Sequence, residues 1–136
     1  MLERFSISLE QDLLKQFDRH RRSRKYSTRS EAIRDLIRQS LVQQEWNADE
    51  EVVGVISLVY DHHQRQLQDR ITEVQHGFHH HVVSTTHIHL DHDNCLEVII
   101  ARGHAGEVRS LAERLIALRG VKNGSLSTAS TGKHIH

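Results

Sequence analysis

The feature that most limits how this chain can fold is a strand with nothing to pair with. Arg4-Phe5-Ser6-Ile7-Ser8-Leu9 alternates polar and apolar, so an extended backbone puts Phe5, Ile7 and Leu9 on one face and Arg4, Ser6 and Ser8 on the other. The period then changes. Leu13, Leu14 and Phe17 fall at helical spacing, with Glu10 and Asp12 where a first turn favours negative charge. This helix is expected to run out in a basic turn, Arg19 to Lys25, leading to Tyr26. A second helix is expected to open at Ser27-Thr28-Arg29-Ser30-Glu31, where Thr28 and Glu31 fit the S/T-x-x-E capping box. Ala32, Ile33, Leu36, Ile37 and Leu41 continue it as an apolar stripe to about Glu45. One short strand and two helices cannot close a core of their own. The remedy is a second copy, with two strands paired antiparallel over four helices.

Strand-helix-helix with a polar strand face resembles the ribbon-helix-helix family of DNA-binding proteins, whose two-stranded ribbon lies in the major groove. The resemblance implies that Arg4, Ser6 and Ser8 face bases. It also implies that the start of the second helix, at Thr28, Arg29 and Ser30, turns N–H groups and a guanidinium toward phosphate. Charge agrees. The formal net charge is zero, yet residues 1–45 carry ten Lys/Arg against seven Asp/Glu, and six basic residues with no acid lie between Arg19 and Arg29.

After the polar run Asn47-Ala48-Asp49-Glu50-Glu51, read as a linker over 47–51, the pattern changes again. Val52 to Tyr60 is a β-branched run and reads as a strand. Leu67, Ile71 and Val74 mark a helix from Gln64 to Gln75, and Val82 to Leu90 and Cys95 to Ala101 read as two more strands. Gly103-His104-Ala105-Gly106 reads as a turn. Val108, Leu111, Leu115, Ile116 and Leu118 then make a helix ending at Gly120, and Val121 to Ala129 a last strand. The order βαββαβ is the ferredoxin-like plan. The fold class is therefore α+β, with residues 1–46 as a βαα ribbon-helix-helix and 52–136 as a βαββαβ domain.

Twelve of the thirteen histidines lie in this second part, and the chemistry sits at Thr86-His87-Ile88-His89-Leu90-Asp91-His92-Asp93-Asn94-Cys95. His87 and His89 are two apart on a strand and share a face. The turn brings Cys95 beside His89 on the next strand. Glu97 shares the face of Cys95, as an acceptor able to orient a ligand. His76, near the end of the preceding helix, is the best candidate for a fourth ligand. Three imidazoles and a thiolate suit Ni(II), Cu(II) or Zn(II), and sequence does not choose between them. The clusters His62-His63, His79-His80-His81 and His134-Ile135-His136 are given no role.

Taken together, these motifs look like the nickel-responsive transcriptional regulators. The stretches that carry the likeness are Tyr26 with Thr28-Arg29-Ser30-Glu31-Ala32-Ile33-Arg34-Asp35, Tyr60-Asp61-His62, Gln75-His76, His87-Ile88-His89 and Asn94-Cys95-Leu96-Glu97, spanning roughly residues 3–130. The resemblance implies a homotetramer in which two ribbon-helix-helix dimers flank a core of ACT-type regulatory domains. It implies a square-planar nickel site with His87, His89 and Cys95 from one chain and His76 from another. Glu31 and Asp35 match positions that can hold a second, weaker cation. Nickel loading then favours binding to an inverted-repeat operator on double-stranded DNA, with repression of nickel uptake genes as the expected outcome. Ser6 and Ser8 stand where relatives often carry threonine, which alters any contact with a thymine methyl. Two alternatives remain open at this point: a sensor of copper or cobalt using the same ligands, and a nickel storage or delivery protein suggested by the histidine content.

Composition sets the outer bounds. No run of ~18 apolar residues exists to span a membrane, and Met1 to Ser6 lack the basic-then-apolar pattern of a signal peptide. A single cysteine in 136 residues excludes an intrachain disulfide framework and points to the cytoplasm. Thiol catalysis is set aside, because nothing around Cys95 signals an oxyanion or substrate pocket. The chain is expected to be no enzyme.

Overall fold

The computed structural model describes all 136 residues, gathered into two compact units, Met1–Gln39 and Ser40–His136. In the first unit, residues 1–10 form no strand, against the expectation for 4–9. The reason is physical: a strand exists by its ladder of hydrogen bonds, and a single chain offers this segment no partner. Phe5 and Ile7 are left 72% and 63% exposed. They line an open cavity with Ser30, Ile33, Arg34 and Ile37.

Helix α1 spans Gln11–Ser23 and so takes in most of the segment read as a basic turn. His20, Arg21 and Arg22 occupy its last turn, where cations meet the negative end of the helix dipole. The chain reverses at Arg24 and Lys25, and Lys25 adopts a left-handed φ of 62°. The Tyr26 N–H donates to the Arg21 carbonyl and the Lys25 N–H to the Arg22 carbonyl, both at 3.0 Å. That is a Schellman closure with lysine where glycine is usual. Helix α2 spans Arg29–Asn47. The Glu31 N–H donates to Thr28 Oγ1 at 3.1 Å, as a cap requires, while the Glu31 carboxylate accepts from the Ser27 hydroxyl at 2.9 Å.

In the second unit, β1 (Glu51–Asp61), α3 (Arg65–Gly77), β2 (Val82–His89), β3 (Asn94–His104), α4 (Ala105–Ile116) and β4 (Val121–Ser130) follow in order. They form an antiparallel four-stranded sheet in the order β2-β3-β1-β4, the ferredoxin-like arrangement. Two boundaries differ from expectation. Gly103 and His104 extend β3, and Ala105 and Gly106 open α4, so this segment is no turn. The Ala105 N–H donates to the Glu50 carbonyl at 3.0 Å, which fixes the helix start against the beginning of β1. Helix α4 ends at Ile116 rather than running to Gly120.

Alternate residues of β1 and β3 point into the core: Val52, Ile56, Leu58 and Tyr60 from one, Cys95, Ile99 and Ala101 from the other. Leu67 and Ile71 of α3 and Val108, Leu111, Ala112 and Leu115 of α4 cover them. Fully burying a large aliphatic side chain is worth ~1.5–3 kcal/mol, so this face stabilises the domain. Trp46, at the end of α2, joins the same core, and its indole N–H donates to the Ala129 carbonyl at 2.9 Å. The other sheet face, with Val55, Val59, Leu96, Val98 and Ile100, stays half-buried. Both helices lie on the opposite side.

Candidate metal centre and nucleic-acid surface

The β2–β3 hairpin sets the site. Its register pairs His89 with Cys95 and His87 with Glu97, so all four share the helix-covered face at the edge of the sheet. The turn is held by Asp91, whose Oδ1 accepts from the backbone N–H groups of Asp93 and Asn94 at 2.9 and 2.7 Å and whose two oxygens both meet the Asn94 amide. These hydrogen bonds, the Asn94 backbone first, draw the Asp91 carboxyl down to about 2.

Cys95 is fully buried, its thiol donating to the Tyr60 carbonyl at 3.6 Å. Burial is the main reason its pKa is raised, with the nearby Glu97 and Asp61 charges adding to it. Glu97 is the hub of the site. Its Oε1 accepts from the Tyr60 hydroxyl at 3.2 Å and lies 3.4 Å from His87 Nδ1, while its Oε2 accepts from the Gln75 amide at 3.0 Å. Gln75 in turn accepts from the Thr85 hydroxyl at 2.9 Å, which ties the last turn of α3 to β2. Burial, then the Glu97 carboxylate, hold the Tyr60 phenol protonated far above its ordinary range.

The rings of His87 and His89 lie 5.4 Å apart, and His89 meets His62 edge-on at 5.1 Å. His76 is exposed on the last turn of α3, its ring stacked 5.8 Å from His79. No three of the donors of His76, His87, His89 and Cys95 come within 4.8 Å of one another in one chain. The hairpin brings two imidazoles and a thiol to one face, and the fourth donor stands apart. This donor chemistry fits a borderline divalent cation, and Glu97 beside His87 is the acceptor such a ligand needs.

The residues expected to meet DNA all lie in the first unit. Arg4, Ser6 and Ser8 are exposed in the segment before α1. Thr28 caps α2, and Ser30 is exposed on its first turn. Arg29 is engaged: its Nε and Nη2 donate to the two oxygens of Asp18 at 3.0 and 2.8 Å. That pair lowers the Asp18 pKa and raises that of Arg29. Glu31 and Asp35 lie one turn apart on α2, and both carboxylates are already bonded. Asp35 accepts from the Tyr26 hydroxyl and from the Gln39 amide, the latter at 2.6 Å.

The sequence reading missed Tyr60 and Gln75 as donors to Glu97, and it missed the approach of His62 to His89. A signal was present. Register pairing of Asp61 with Asn94 puts residues 61–63 against the 91–94 turn.

Residues 53–129 match the family described as NikR C terminal nickel binding domain, and residues 3–44 match ribbon-helix-helix protein, copG family. The class is thus a ribbon-helix-helix protein joined to a nickel-binding domain. A protein of Desulfotalea psychrophila (strain LSv54 / DSM 12343) is 60% identical over the full length of both chains. One from Syntrophus aciditrophicus (strain SB) is 52% identical over 130 residues, 96% of this chain and 95% of that protein. Each carries the name "Putative nickel-responsive regulator". The chain belongs to the nickel-responsive regulator family. An uncharacterized protein from Thermotoga maritima, 11% identical, shares the fold over 58% of this chain and 98% of its own, at a TM-score of 0.53.

Proposed function

We infer that this chain is a nickel-dependent DNA-binding transcriptional regulator, not an enzyme, and that His76, His87, His89 and Cys95 are its nickel ligands. The observation that carries the ligand assignment is the hairpin register, which sets His89 beside Cys95 and His87 beside Glu97 on one face. Bound nickel supplies a cross-link between elements otherwise held by hydrogen bonds. Cys95 gives up its proton to bind, and Glu97 holds the His87 ring by its Nδ1, leaving the other nitrogen to ligate. His76, exposed and apart, comes from a neighbouring chain, and Gln75 beside it anchors the end of α3 to Glu97.

The working form is a homotetramer. Residues 4–9 gain a ladder only from a second copy, and the half-buried apolar sheet face needs a cover. The paired segments form a ribbon that presents Arg4, Ser6 and Ser8 to the bases of an inverted-repeat operator, while the start of α2 grips phosphate. Arg29 leaves or shares its Asp18 partner to do so. Metal binding acts as a population shift toward the arrangement competent for DNA, with a coupling of ~1–3 kcal/mol per event. The protein works in the cytoplasm and represses nickel uptake genes.

Selection from sheared genomic DNA, run in parallel with metal-free and nickel-loaded protein at physiological salt, tests this reading. Recovery of a few inverted-repeat fragments with nickel alone is expected. Equal recovery in both arms would refute nickel as the effector.

A further inference from the structure

A second group of donors lies outside the set assigned above. His63, in the turn after β1, and His92 and Asp93, in the β2–β3 turn, each offer one ligand atom, and the three atoms lie within 4.8 Å of one another. They are the one such group of three in the chain. We propose that His63, His92 and Asp93 form a second, solvent-facing site for a borderline divalent transition cation.

Two imidazoles and one carboxylate, with the remaining positions left to water, are a donor set that suits nickel, zinc or cobalt. Ligands held at ~2.0–2.2 Å around one ion sit roughly 3–4 Å apart. Closing this group therefore needs movements of about 1 Å from side chains that are free to turn in solvent. His63 Nε2 already lies 3.4 Å from Asp93 Oδ1, and the His63 and His92 rings stand 5.4 Å apart. The backbone beneath them is braced. The His62 N–H donates to the Asp93 carbonyl at 3.0 Å, His62 Nε2 bonds the His92 carbonyl at 2.7 Å, and the His63 N–H donates to Asp61 at 2.9 Å.

The site's position gives it a use. The His62 ring, fixed by the His92 carbonyl, meets His89 edge-on at 5.1 Å. A cation held at the surface thus waits one imidazole away from the hairpin face that carries His89 and Cys95. The other histidine cluster differs. His79 and His80 contact each other at 3.9 Å, but His81 turns away to pair with Glu107 at 2.9 Å.

The test titrates nickel(II) into the full-length chain carrying Cys95→Ala, so that the buried thiolate no longer competes, and counts bound metal per chain by equilibrium dialysis. In that background, His63→Ala with His92→Ala is expected to weaken the tightest remaining site at least tenfold, and Asp93→Asn several-fold. The triple variant His79→Ala, His80→Ala, His81→Ala is expected to leave it unchanged. Paramagnetic broadening at substoichiometric nickel should strike the His63 and His92 imidazole signals first. Unaltered binding in the His63/His92 variant, equal losses in both histidine variants, or broadening confined to other rings would overturn the proposal. The three residues changed at or near the turn, His63, His92 and Asp93, are exposed, and circular dichroism checks that each variant keeps its fold. Whether Cys95→Ala by itself removes tight binding reports on the buried ligand set, so the two assignments can fail separately.

Discussion

Removing the Glu97 side chain tests whether this buried carboxylate holds the site together. Glu97 is 7% exposed and accepts from Tyr60, which is 1% exposed, and from Gln75, which is only partly buried. In Glu97→Ala, the exposed side of Gln75 can turn to water, while the buried Tyr60 hydroxyl loses its carboxylate acceptor. A buried donor left without an acceptor costs ~1–3 kcal/mol, so the single variant should lose about that much stability. Tyr60→Phe removes one hydrogen bond and should cost ~0.5–1.5 kcal/mol. The double variant has neither donor nor acceptor, so its loss should fall about 1–2 kcal/mol short of the sum of the single losses. Urea unfolding followed by circular dichroism measures this, on metal-free protein at one fixed chain concentration because association adds to apparent stability. Additivity within ~0.5 kcal/mol would show that Tyr60 does not depend on Glu97. Nickel affinity of Glu97→Ala should drop roughly 10–100-fold, the usual cost of losing an orienting acceptor.

Nickel affinity should fall as pH falls, because Cys95, as the proposed ligand, would have to bind as thiolate and burial raises its pKa. Between pH 6.5 and 8.5 the logarithm of the binding constant should rise by at least about one per pH unit, and a flat profile by competition with a calibrated chelator would contradict the assignment of Cys95. The Asp91 carboxyl, held down to about 2 by Asn94 and Asp93 donors, supports the hairpin fully above its unfolded value near 4 and loses that support as pH falls through about 2. A carbon-13 titration giving a value near 4 would refute its role, and Asp91→Ala should weaken nickel binding several-fold by loosening the turn. A Cβ added at Gly54 would meet Val108 Cγ1 at 2.6 Å and Leu126 Cδ1 at 3.0 Å. Gly54→Ala should therefore cost ~1–3 kcal/mol by overpacking, and an unchanged urea midpoint would show that the sheet and α4 can separate freely.

How far the sequence could be read depended on whether the information was local. The hairpin was legible because a period of two fixes which residues share a face, and the short Asp91–Asn94 turn fixes the register. His89 opposite Cys95 followed from those two facts. Thr28 as the cap of α2 was equally local. The end of α1 was misplaced because a run of cations looks like a solvated turn, whereas its last residues also satisfy the helix dipole and the closure at Lys25. The Arg29–Asp18 pair joins residues eleven apart on two helices, so no spacing rule reveals it. Tyr60 and Gln75 were missed for the same reason, since they converge on Glu97 only after β1 and α3 have packed against β3.

The strand expected at residues 4–9 shows what a chain sequence encodes without being able to form alone. Its alternation is unambiguous, yet the single chain leaves Phe5 and Ile7 exposed and gives the segment no ladder. The second unit has a matching deficit, a sheet whose apolar outer face no helix of its own covers. Two unmet surfaces in two separate units leave room for two different contacts between copies, the pairings that the proposed tetramer would use. In that proposal His76, apart from the hairpin donors within one chain, would be supplied across a contact between copies, which would make metal binding sensitive to how those copies are arranged. If that contact is what nickel secures, then a Cys95→Ala chain should still assemble without metal while losing nickel-dependent DNA binding. Size-exclusion and footprinting on that one variant separate assembly from sensing, and loss of both together would place Cys95 in the scaffold instead of the switch.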